Sequence, residues 1–323
     1  MEGGMKKGMA SLVTGTIGLM SLLAVLFSGV GFTASAAPPE ATKGGYSIFD
    51  ETIVDMTWPE VEKAAKEGAV VLLPTAVIEE HGPHMALGVD TYLGYLKCKL
   101  VRRELERRGV KTVIAPPFFW GINICTGSFP GSFHSRPEVV KGVLGDELAS
   151  FKRWGFNRVF VLNWHGDYLH NVSILEAIKE ARIATGIDAY YVTSAFFAGR
   201  LGLTGKEDHV IIEASTPPAG PPPKFLEVHA DKGETALMAY YFPGLVDTAM
   251  AKTLKSTDLT AKELATWRRG WETARKVTPL GYFGDPASFE KEDPQKSAEN
   301  SARIVADVIE AFVKGNYKPP LTP

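Results

Sequence analysis

Short apolar runs rich in β-branched residues alternate along the chain with longer stretches of helical periodicity. This alternation is typical of βαβ units, which form a parallel sheet covered by helices. We therefore expect an α/β fold of three layers, in which a mostly parallel β-sheet is flanked by helices. The predicted strands are 69–74, 112–116, 158–163 and 189–193, and the predicted helices are 58–67, 90–108, 137–154, 168–184, 262–275 and 298–314.

One irregular region interrupts this pattern between Gly199 and Phe225. Residues 216–223 read Thr-Pro-Pro-Ala-Gly-Pro-Pro-Pro, and proline continues neither a helix nor a central strand. We expect a surface loop there, or an insertion near the functional site. No strong linker divides the rest of the sequence, so residues 46–323 are predicted to form one domain.

The N-terminus has the features of an export signal. A pair of lysines precedes a mostly apolar stretch from Met9 to Phe32, and Ala-Ser-Ala follows at 34–36 with the small-x-small pattern of a cleavage site. These features predict a signal peptide over residues 1–36, a linker over residues 37–45, and a periplasmic or secreted protein. The alternative is a membrane anchor that is not cleaved, because the apolar stretch is long enough to span a bilayer.

The composition argues against a nucleic-acid partner. The chain carries 35 Lys and Arg against 37 Asp and Glu, a formal charge of −2, which offers no basic field to a phosphate backbone. With 45% hydrophobic and 22% charged residues, it can form a sizeable core. The two cysteines, Cys98 and Cys125, are too few for a disulfide scaffold and lack zinc-ribbon spacing, although they could form one disulfide.

Polar side chains crowd the chain where the first predicted strand ends. Glu79 and His81 are two positions apart, and in extended backbone such side chains point in the same direction. This spacing is one that metal ligands use. Asp90 follows at the start of the next predicted helix, where its carboxylate could reach the same point and bridge two ions, or could simply cap the helix.

The third predicted strand ends in a second pair of this kind, His165 and Asp167. Because ligand sites in open parallel sheets form at the carboxyl ends of the strands, we expect both pairs at the same edge of the sheet. Together with Asp90 they offer an imidazole and carboxylate set that suits two divalent ions such as Zn²⁺ and Mn²⁺.

A third polar cluster begins at His229, after the proline-rich segment, and includes Glu234. Histidine can donate or accept a proton near neutral pH, so His229 is the candidate for proton transfer, and Glu234 could orient it. The alternative for Glu234 is an ordinary acid in the first turn of a helix, where the helix dipole favours a negative charge.

These motifs resemble those of the creatininase family. Residues 79–90 are similar to the signature E-Q-H-G-P-H-x-x-x-G-x-D, and residues 129–132 resemble the F-P-G-T segment. Residues 163–167 resemble N-G-H-x-[EG]-N, and residues 229–235 resemble H-A-G-x-x-E-T. With Gly-Asp-Pro at 284–286, the resemblance runs from about residue 58 to residue 311.

The resemblance implies the α/β fold, a hexameric assembly and a two-metal centre that hydrolyses non-peptide or unusual amide bonds. By position, Glu79 and His165 would hold one ion, and His81 and Asp167 would hold the other. Asp90 would bridge the two ions.

It also implies the catalytic and substrate-binding residues. His229 would protonate the leaving nitrogen, and Glu234 would fix its orientation. The substrate would contact Ser132, Trp164, Tyr168 and Phe225. Creatinine hydrolases of the family have a small Gly and an Asn in place of Trp164 and Tyr168, a Glu in place of Asp167, and a Trp near the position of Phe225.

The expectation for function is an exported two-metal amidohydrolase in which a metal-activated water attacks the carbonyl of a small-molecule, non-peptide or cyclic amide. Because the pocket residues differ from those of creatinine hydrolases, creatinine is expected to be a poor substrate. The alternatives are a creatinine amidohydrolase proper, a peptide or formamide hydrolase of the same family, and a metal-binding scaffold without catalytic activity.

Overall fold

The computed structural model of the protein describes residues 45–213 and 223–319. Its strands are β1 (Val70–Thr75), β2 (Thr112–Ile114), β3 (Arg158–Asn163), β4 (Asp188–Ser194) and β5 (Val210–Glu213). Its helices are α1 (Trp58–Lys66), α2 (Val89–Arg107), α3 (Pro137–Arg153), α4 (Tyr168–Thr185), α5 (Ala195–Arg200), α6 (Lys232–Tyr241), α7 (Thr248–Thr253), α8 (Ala261–Trp267), α9 (Trp271–Val277) and α10 (Pro294–Val313). Within the described residues, the strands form one parallel sheet in the order β2-β1-β3-β4-β5.

Helices cover both faces of this sheet. Side chains alternate along β1, because neighbours in a strand point to opposite faces. Val71 and Leu73 pack with the apolar residues of α3 and α4, whereas Val70 and Leu72 pack with those of α2 and α10. Leu72 and Leu73 are fully buried, and burying a side chain of this size stabilises a fold by roughly 1.5–3 kcal/mol. The predicted three-layer α/β fold is therefore confirmed.

The structure differs from the prediction in the region 199–225. Val210–Glu213 forms β5 and pairs with β4, with Val210 opposite Tyr191. The three apolar residues of this strand are buried. Because the run is only four residues long and stands just before the prolines, periodicity alone does not separate it from a loop.

The predicted helix at 262–275 is two helices, α8 and α9. Gly270 separates them and has a φ of 75°, a left-handed conformation that favours glycine. Its backbone also lies against the loop that follows β2, because a Cβ at position 270 would stand 2.5 Å from the carbonyl oxygen of Ile124. The break therefore brings this part of the chain up to the carboxyl edge of the sheet.

The predictions for the N-terminus fall outside the described residues. The signal peptide at 1–36 and the linker at 37–45, apart from Gly45, are not among them, nor are most of the prolines of 216–223. Across 45–213 and 223–319, no helix combines the length and the apolar character needed to cross a bilayer.

The strand order places the ends of β1 and β3 side by side. The chain adds β2 on one side of β1 and β3 to β5 on the other, so its direction of winding reverses between β1 and β3. Ligands of open α/β sheets bind at such a switch point, beyond the carboxyl ends of the strands. Thr75 and Asn163, the last residues of these two strands, are paired, so the loops after them begin next to each other.

Candidate metal centre

The loop after β1 carries Glu79 and His81 to the switch point. Both side chains are buried, and candidate ligand atoms of the two lie within 4.8 Å of each other, as their spacing predicts. Backbone hydrogen bonds fix the loop. The N–H of Glu79 donates to the carbonyl oxygen of Leu87 at 3.0 Å, and the N–H of Glu80 donates to Ser132 Oγ at 3.0 Å.

Asp90 lies in the first turn of α2, where Gly88 and not Asp90 is the N-cap. Its carboxylate is buried and faces two histidines from different loops. Oδ1 of Asp90 lies 3.2 Å from His81 Nε2, and Oδ2 lies 2.8 Å from His165 Nδ1. Each oxygen thus faces its own imidazole, and Asp90 does not serve as a helix cap.

His165 completes this arrangement from the end of β3. Its Nδ1 lies 3.1 Å from Glu79 Oε1 as well as close to Asp90. Two amide side chains hold the loop that carries it, since the Nδ2 atoms of Asn163 and Asn171 donate to the His165 carbonyl oxygen at 2.6 and 2.9 Å. The ring is therefore anchored to β3 and α4 at once.

Backbone oxygens select the ring nitrogen that each histidine presents to the cluster. His81 Nδ1 lies 3.2 Å from the Glu79 carbonyl oxygen, and His165 Nε2 lies 3.1 Å from the carbonyl oxygen of Ile122. When these nitrogens donate, the lone pairs of His81 Nε2 and His165 Nδ1 point at carboxylates. Metal-binding histidines are oriented in this way. His81 Nε2 is buried without a hydrogen-bond partner among the described residues, which fits a ligand atom.

Three groups of side chains in the described residues have the geometry to hold a divalent cation. In each, ligand atoms from all three residues lie within 4.8 Å of one another. The groups are Glu79 with Asp90 and His165, His81 with Asp90 and Glu234, and Glu79 with His81 and His229. Because the first two groups share only Asp90, they could hold one ion each.

The structure departs from the sequence-based expectation at Asp167. This residue is the N-cap of α4, and its Oδ1 accepts the N–H of Leu169 at 3.0 Å. Its Oδ2 accepts the N–H of Ile124 at 2.9 Å. Both oxygens thus bind backbone donors, and Asp167 belongs to none of the three groups described above.

Glu234 takes the place expected for Asp167 beside His81. Its Oε2 lies 3.8 Å from His81 Nε2 and accepts the N–H of Ala230 at 2.7 Å. Glu234 lies in the first turn of α6, where an ordinary helix acid is also expected, but its carboxyl group reaches the cluster. It was expected to orient His229, but the contact that orients that ring comes from another residue.

Glu80 is the residue that orients the ring of His229. His229 Nε2 donates to the Glu80 carbonyl oxygen at 2.8 Å and lies 3.5 Å from Glu80 Oε1. Its Nδ1 lies 3.9 Å from Glu79 Oε1, and its ring centroid is 4.3 Å from that of His81. The indole of Trp267 packs on the ring, with the centroids 5.9 Å apart. His229 is thus a fixed, buried imidazole at the rim of the cluster.

Burial and mutual attraction perturb the ionisation of the cluster. Burial alone would raise the pKa of Asp90, but the close imidazole groups of His165 and His81 hold that pKa well below its usual range. Burial opposes charge on His229 as well, yet the nearby carboxylates, Glu79 first, raise its pKa to about 10. Burial raises the pKa of Glu234 to about 7. The carboxylates thus draw positive charge into the cluster, as a cation site requires.

The four expected substrate contacts are spread over several surroundings. Ser132 Oγ accepts the N–H of Glu80 and so positions the metal-binding loop. Trp164 is partly buried and packs with apolar residues of α2. Tyr168, the first residue of α4, is 58% exposed, and Phe225 is 38% exposed with the ammonium of Lys224 4.8 Å from its ring centroid.

Three further residues support the cluster, and the spacing of the sequence motifs does not predict them. Thr126 Oγ1 donates a short hydrogen bond to Glu79 Oε2. Glu80 orients His229, and its Oε2 fills the space over Gly281, where a Cβ would stand only 1.8 Å away. Trp267, which packs on His229, is held by a hydrogen bond from its Nε1 to Thr278 Oγ1 at 3.0 Å.

The fold and the buried cluster define a class, that of α/β proteins with a metal-binding site of the kind used for hydrolysis. A sequence model of the family described as creatininase, creatinine amidohydrolase, matches residues 54–313. The chain therefore belongs to the creatininase family of amidohydrolases, as its motifs indicate.

Individual relatives agree with this assignment. The chain is 29% identical to a creatinine amidohydrolase of Pseudomonas putida over 214 residues, which cover 62% of this chain and 74% of that protein. It is 26% identical to a mycofactocin precursor peptide peptidase of Mycobacterium ulcerans over 262 residues, which cover 80% of this chain and 84% of that protein. A crystal structure of creatinine amidohydrolase is similar with a TM-score of 0.58, 22% identity and coverage of 84% of this chain and 99% of that one.

Manganese and zinc forms of creatininase are also similar in fold. The manganese form has a TM-score of 0.57 at 22% identity and covers 83% of this chain and 99% of that one. A zinc–zinc form of a creatininase mutant has a TM-score of 0.56 at 22% identity and covers 85% of this chain and 100% of that one.

Proposed function

We propose that this chain is an exported two-metal amidohydrolase that cleaves the C–N bond of a non-peptide or cyclic amide. The observation that carries the proposal is Asp90, whose Oδ1 lies next to His81 and whose Oδ2 lies next to His165. A buried carboxylate placed in this way shares its charge between two cations. Membership of the creatininase family supports the same chemistry.

The donor atoms divide into two sites with Asp90 in common. Glu79 Oε1, Asp90 Oδ2 and His165 Nδ1 would hold one ion, and His81 Nε2, Asp90 Oδ1 and Glu234 Oε2 would hold the other. Such oxygen and nitrogen donors suit Zn²⁺ and Mn²⁺. When bound, a pair of divalent ions lowers the pKa of water and polarises a carbonyl group.

His229 would carry the proton that the departing nitrogen needs. Its Nε2 is occupied by the Glu80 carbonyl oxygen, so Nδ1 is the atom that faces the cluster and would hand over the proton. Trp267 and Glu80 keep the ring in this orientation and shield it from water. Amide hydrolysis requires this step because an amide anion is a poor leaving group.

Several observations support a substrate other than creatinine. A small planar ring is held best between aromatic faces, but Phe225 is partly exposed and its ring lies beside a lysine ammonium. Trp164 packs on α2, and Tyr168 is largely exposed. Similarity to both a creatinine hydrolase and a peptide peptidase favours shared chemistry on a different amide. Creatinine and peptides or formamides remain the alternatives for the panel below.

Two measurements test the function. The first is the metal content of the purified protein by plasma emission spectrometry, with two ions expected per chain. The second is a panel of creatinine, N-formyl amines, N-acyl amino acids and short peptides, assayed by steady-state kinetics. A protein with metal that cleaves none of them would instead be a scaffold without catalytic activity. If creatinine had the highest kcat/KM of the panel, the proposed substrate would be overturned, but the hydrolytic function would not.

Export and assembly form part of the same proposal. The sequence of lysines, apolar stretch and Ala-Ser-Ala supports cleavage after residue 36. Intact-mass measurement on protein from an export-competent host should give a chain that begins at or near Ala37, whereas a chain that begins at Met1 would support a membrane anchor. The family resemblance supports a hexamer, and light scattering of the purified protein measures its mass.

A further inference from the structure

Arg200 contacts the loop that carries His165, and it forms no salt bridge with a described carboxylate. It ends α5, which follows β4 at the carboxyl edge of the sheet, and its Nη2 donates to the Gly166 carbonyl oxygen at 3.3 Å. Gly166 stands between His165 and Asp167, so the guanidinium rests on the loop that carries the cluster. Its Cζ lies 5.3 Å from the ring centroid of Phe197. The guanidinium is therefore held by one backbone oxygen and by the rings of Phe196 and Phe197.

A second arginine, Arg268, is the C-cap of α8. It follows Trp267, whose ring packs on His229, and it precedes Trp271, whose N–H donates to the Ile124 carbonyl oxygen at 2.7 Å. Of the described acidic side chains, none forms an ion pair with Arg268 or with Arg200. Neither arginine is thus held in a salt bridge among the described residues.

Cys125, in the loop after β2, is affected by the charges of both arginines and of two acidic residues. Its thiol is free, and burial together with the charges of Asp167 and Glu79 raises its pKa, whereas Arg268 and Arg200 lower it. The thiol is therefore within electrostatic range of both the carboxylates and the arginines. Burial and the charge of Arg268 lower the pKa of Arg200, whereas Cys125 and Asp167 raise it, so the two arginines lie within electrostatic range of each other.

We propose that Arg200 and Arg268 form a subsite for a carboxylate of the substrate, and that the amide is an N-acylated amino acid. This inference rests on the proposed hydrolytic function. Guanidinium groups bind carboxylates through paired, charge-assisted hydrogen bonds. Because Arg200 contacts the residue next to His165, a carboxylate bound there would stand a few bonds from an amide at the cluster. A carboxylate on the carbon attached to the amide nitrogen has this reach.

The reaction is the hydrolysis of the amide C–N bond. Water supplies the hydroxyl that bonds to the carbonyl carbon and the proton that the nitrogen receives, and the C–N bond breaks. The products are the carboxylic acid of the acyl group and a free amino acid, whose carboxylate would remain on the arginines. A dipeptide also carries a carboxylate on the carbon attached to its amide nitrogen. N-acyl amino acids and dipeptides are therefore compared directly in the test.

The kinetic test compares matched substrates in matched variants. We expect wild-type holoenzyme to prefer N-acetylglycine over its neutral carboxamide. In Arg200→Met and Arg268→Met, the ratio of the two kcat/KM values should fall by about tenfold to a hundredfold through KM, because hydrogen bonds to charged groups contribute that much. Arg269→Met, which removes the exposed neighbouring charge, should keep the wild-type ratio. If the wild-type enzyme hydrolyses N-acetylglycine faster than glycylglycine, the N-acyl class is supported. The reverse order overturns it.

A binding measurement keeps the subsite separate from the hydrolysis. Calorimetric titration of the same four holoproteins with N-acetylglycine and its carboxamide should give a carboxylate preference that weakens in Arg200→Met and Arg268→Met only. Arg268→Met is a surface change, so it decides the matter if Arg200→Met fails to fold. If the protein hydrolyses amides but both arginine variants keep the wild-type preference for the carboxylate, the subsite is overturned and the proposed function is not. Loss of preference in a protein that cleaves no amide supports the subsite and overturns the function, and failure of both effects overturns both.

Discussion

The Nδ1 atom of His165 lies 2.8 Å from Oδ2 of Asp90, although 75 positions separate the two residues in the sequence. One stands after β3 and the other in the first turn of α2. Their approach depends on the pairing of β1 with β3, because α2 follows the loop after β1. The candidate metal centre is thus a direct product of the strand order.

The first prediction concerns this shared carboxylate. Asp90→Ala should remove more metal than His81→Ala or His165→Ala, because only Asp90 faces both candidate sites. Plasma emission spectrometry of the purified variants measures the number of ions per chain. Asp293→Ala serves as the control, since Asp293 caps α10 away from the cluster and should keep both ions. Two ions retained in Asp90→Ala would contradict the bridging role.

The second prediction separates two carboxylates. Glu234→Gln should lose one ion per chain, because its Oε2 faces His81 Nε2. Asp167→Ala should keep its metal and should instead lower the free energy of unfolding by about 0.5–2 kcal/mol, the usual effect of losing an N-cap. Metal analysis and urea unfolding on both variants measure this difference. If Asp167→Ala loses the ion and Glu234→Gln keeps it, the assignment is reversed.

The third prediction concerns proton transfer. His229→Ala should retain its metal, since the two sites that share Asp90 do not need it, and its kcat should fall about 10²–10⁴-fold. The measurements are metal content and steady-state kinetics on the best substrate of the panel. His209→Ala, at the residue just before β5, is the matched control and should keep wild-type activity. Loss of an ion in His229→Ala would make His229 a ligand.

Strands β1 to β4, the long helices and the convergence of Glu79, His81, Asp90 and His165 could be predicted from the sequence. Apolar runs mark β1 and β3, and spacing of two residues in extended backbone gives Glu79 and His81 a common direction. The rule that sites form beyond the carboxyl ends of parallel strands then brings the two loops together.

The roles of Asp167 and Glu234 could not be read from spacing. Asp167 is two positions after His165, but α4 begins immediately after it, so its carboxylate turns to the N–H groups of Leu169 and Ile124. Glu234 has the pattern of an ordinary first-turn acid. Its helix lies over the cluster because the residue before Ala230, His229, pairs with Phe283 through backbone hydrogen bonds, a long-range contact with no local signal.

The last prediction concerns stability and is independent of the metal centre. Glu147 lies in α3, its Oε2 is buried without a hydrogen-bond partner among the described residues, and burial raises its pKa from 4.5 to about 7. The folded state therefore keeps this proton to higher pH than the unfolded chain, so stability is lost as pH rises from 4.5 to 7. Glu147→Gln should raise the free energy of unfolding by about 1–3 kcal/mol at pH 8 and by much less at pH 5. Urea unfolding at both pH values measures the gain, with the exposed neighbour Asp146→Asn as a control that should show none. An equal effect of Glu147→Gln at pH 5 and pH 8 would show that this carboxyl group does not titrate between its folded and unfolded values.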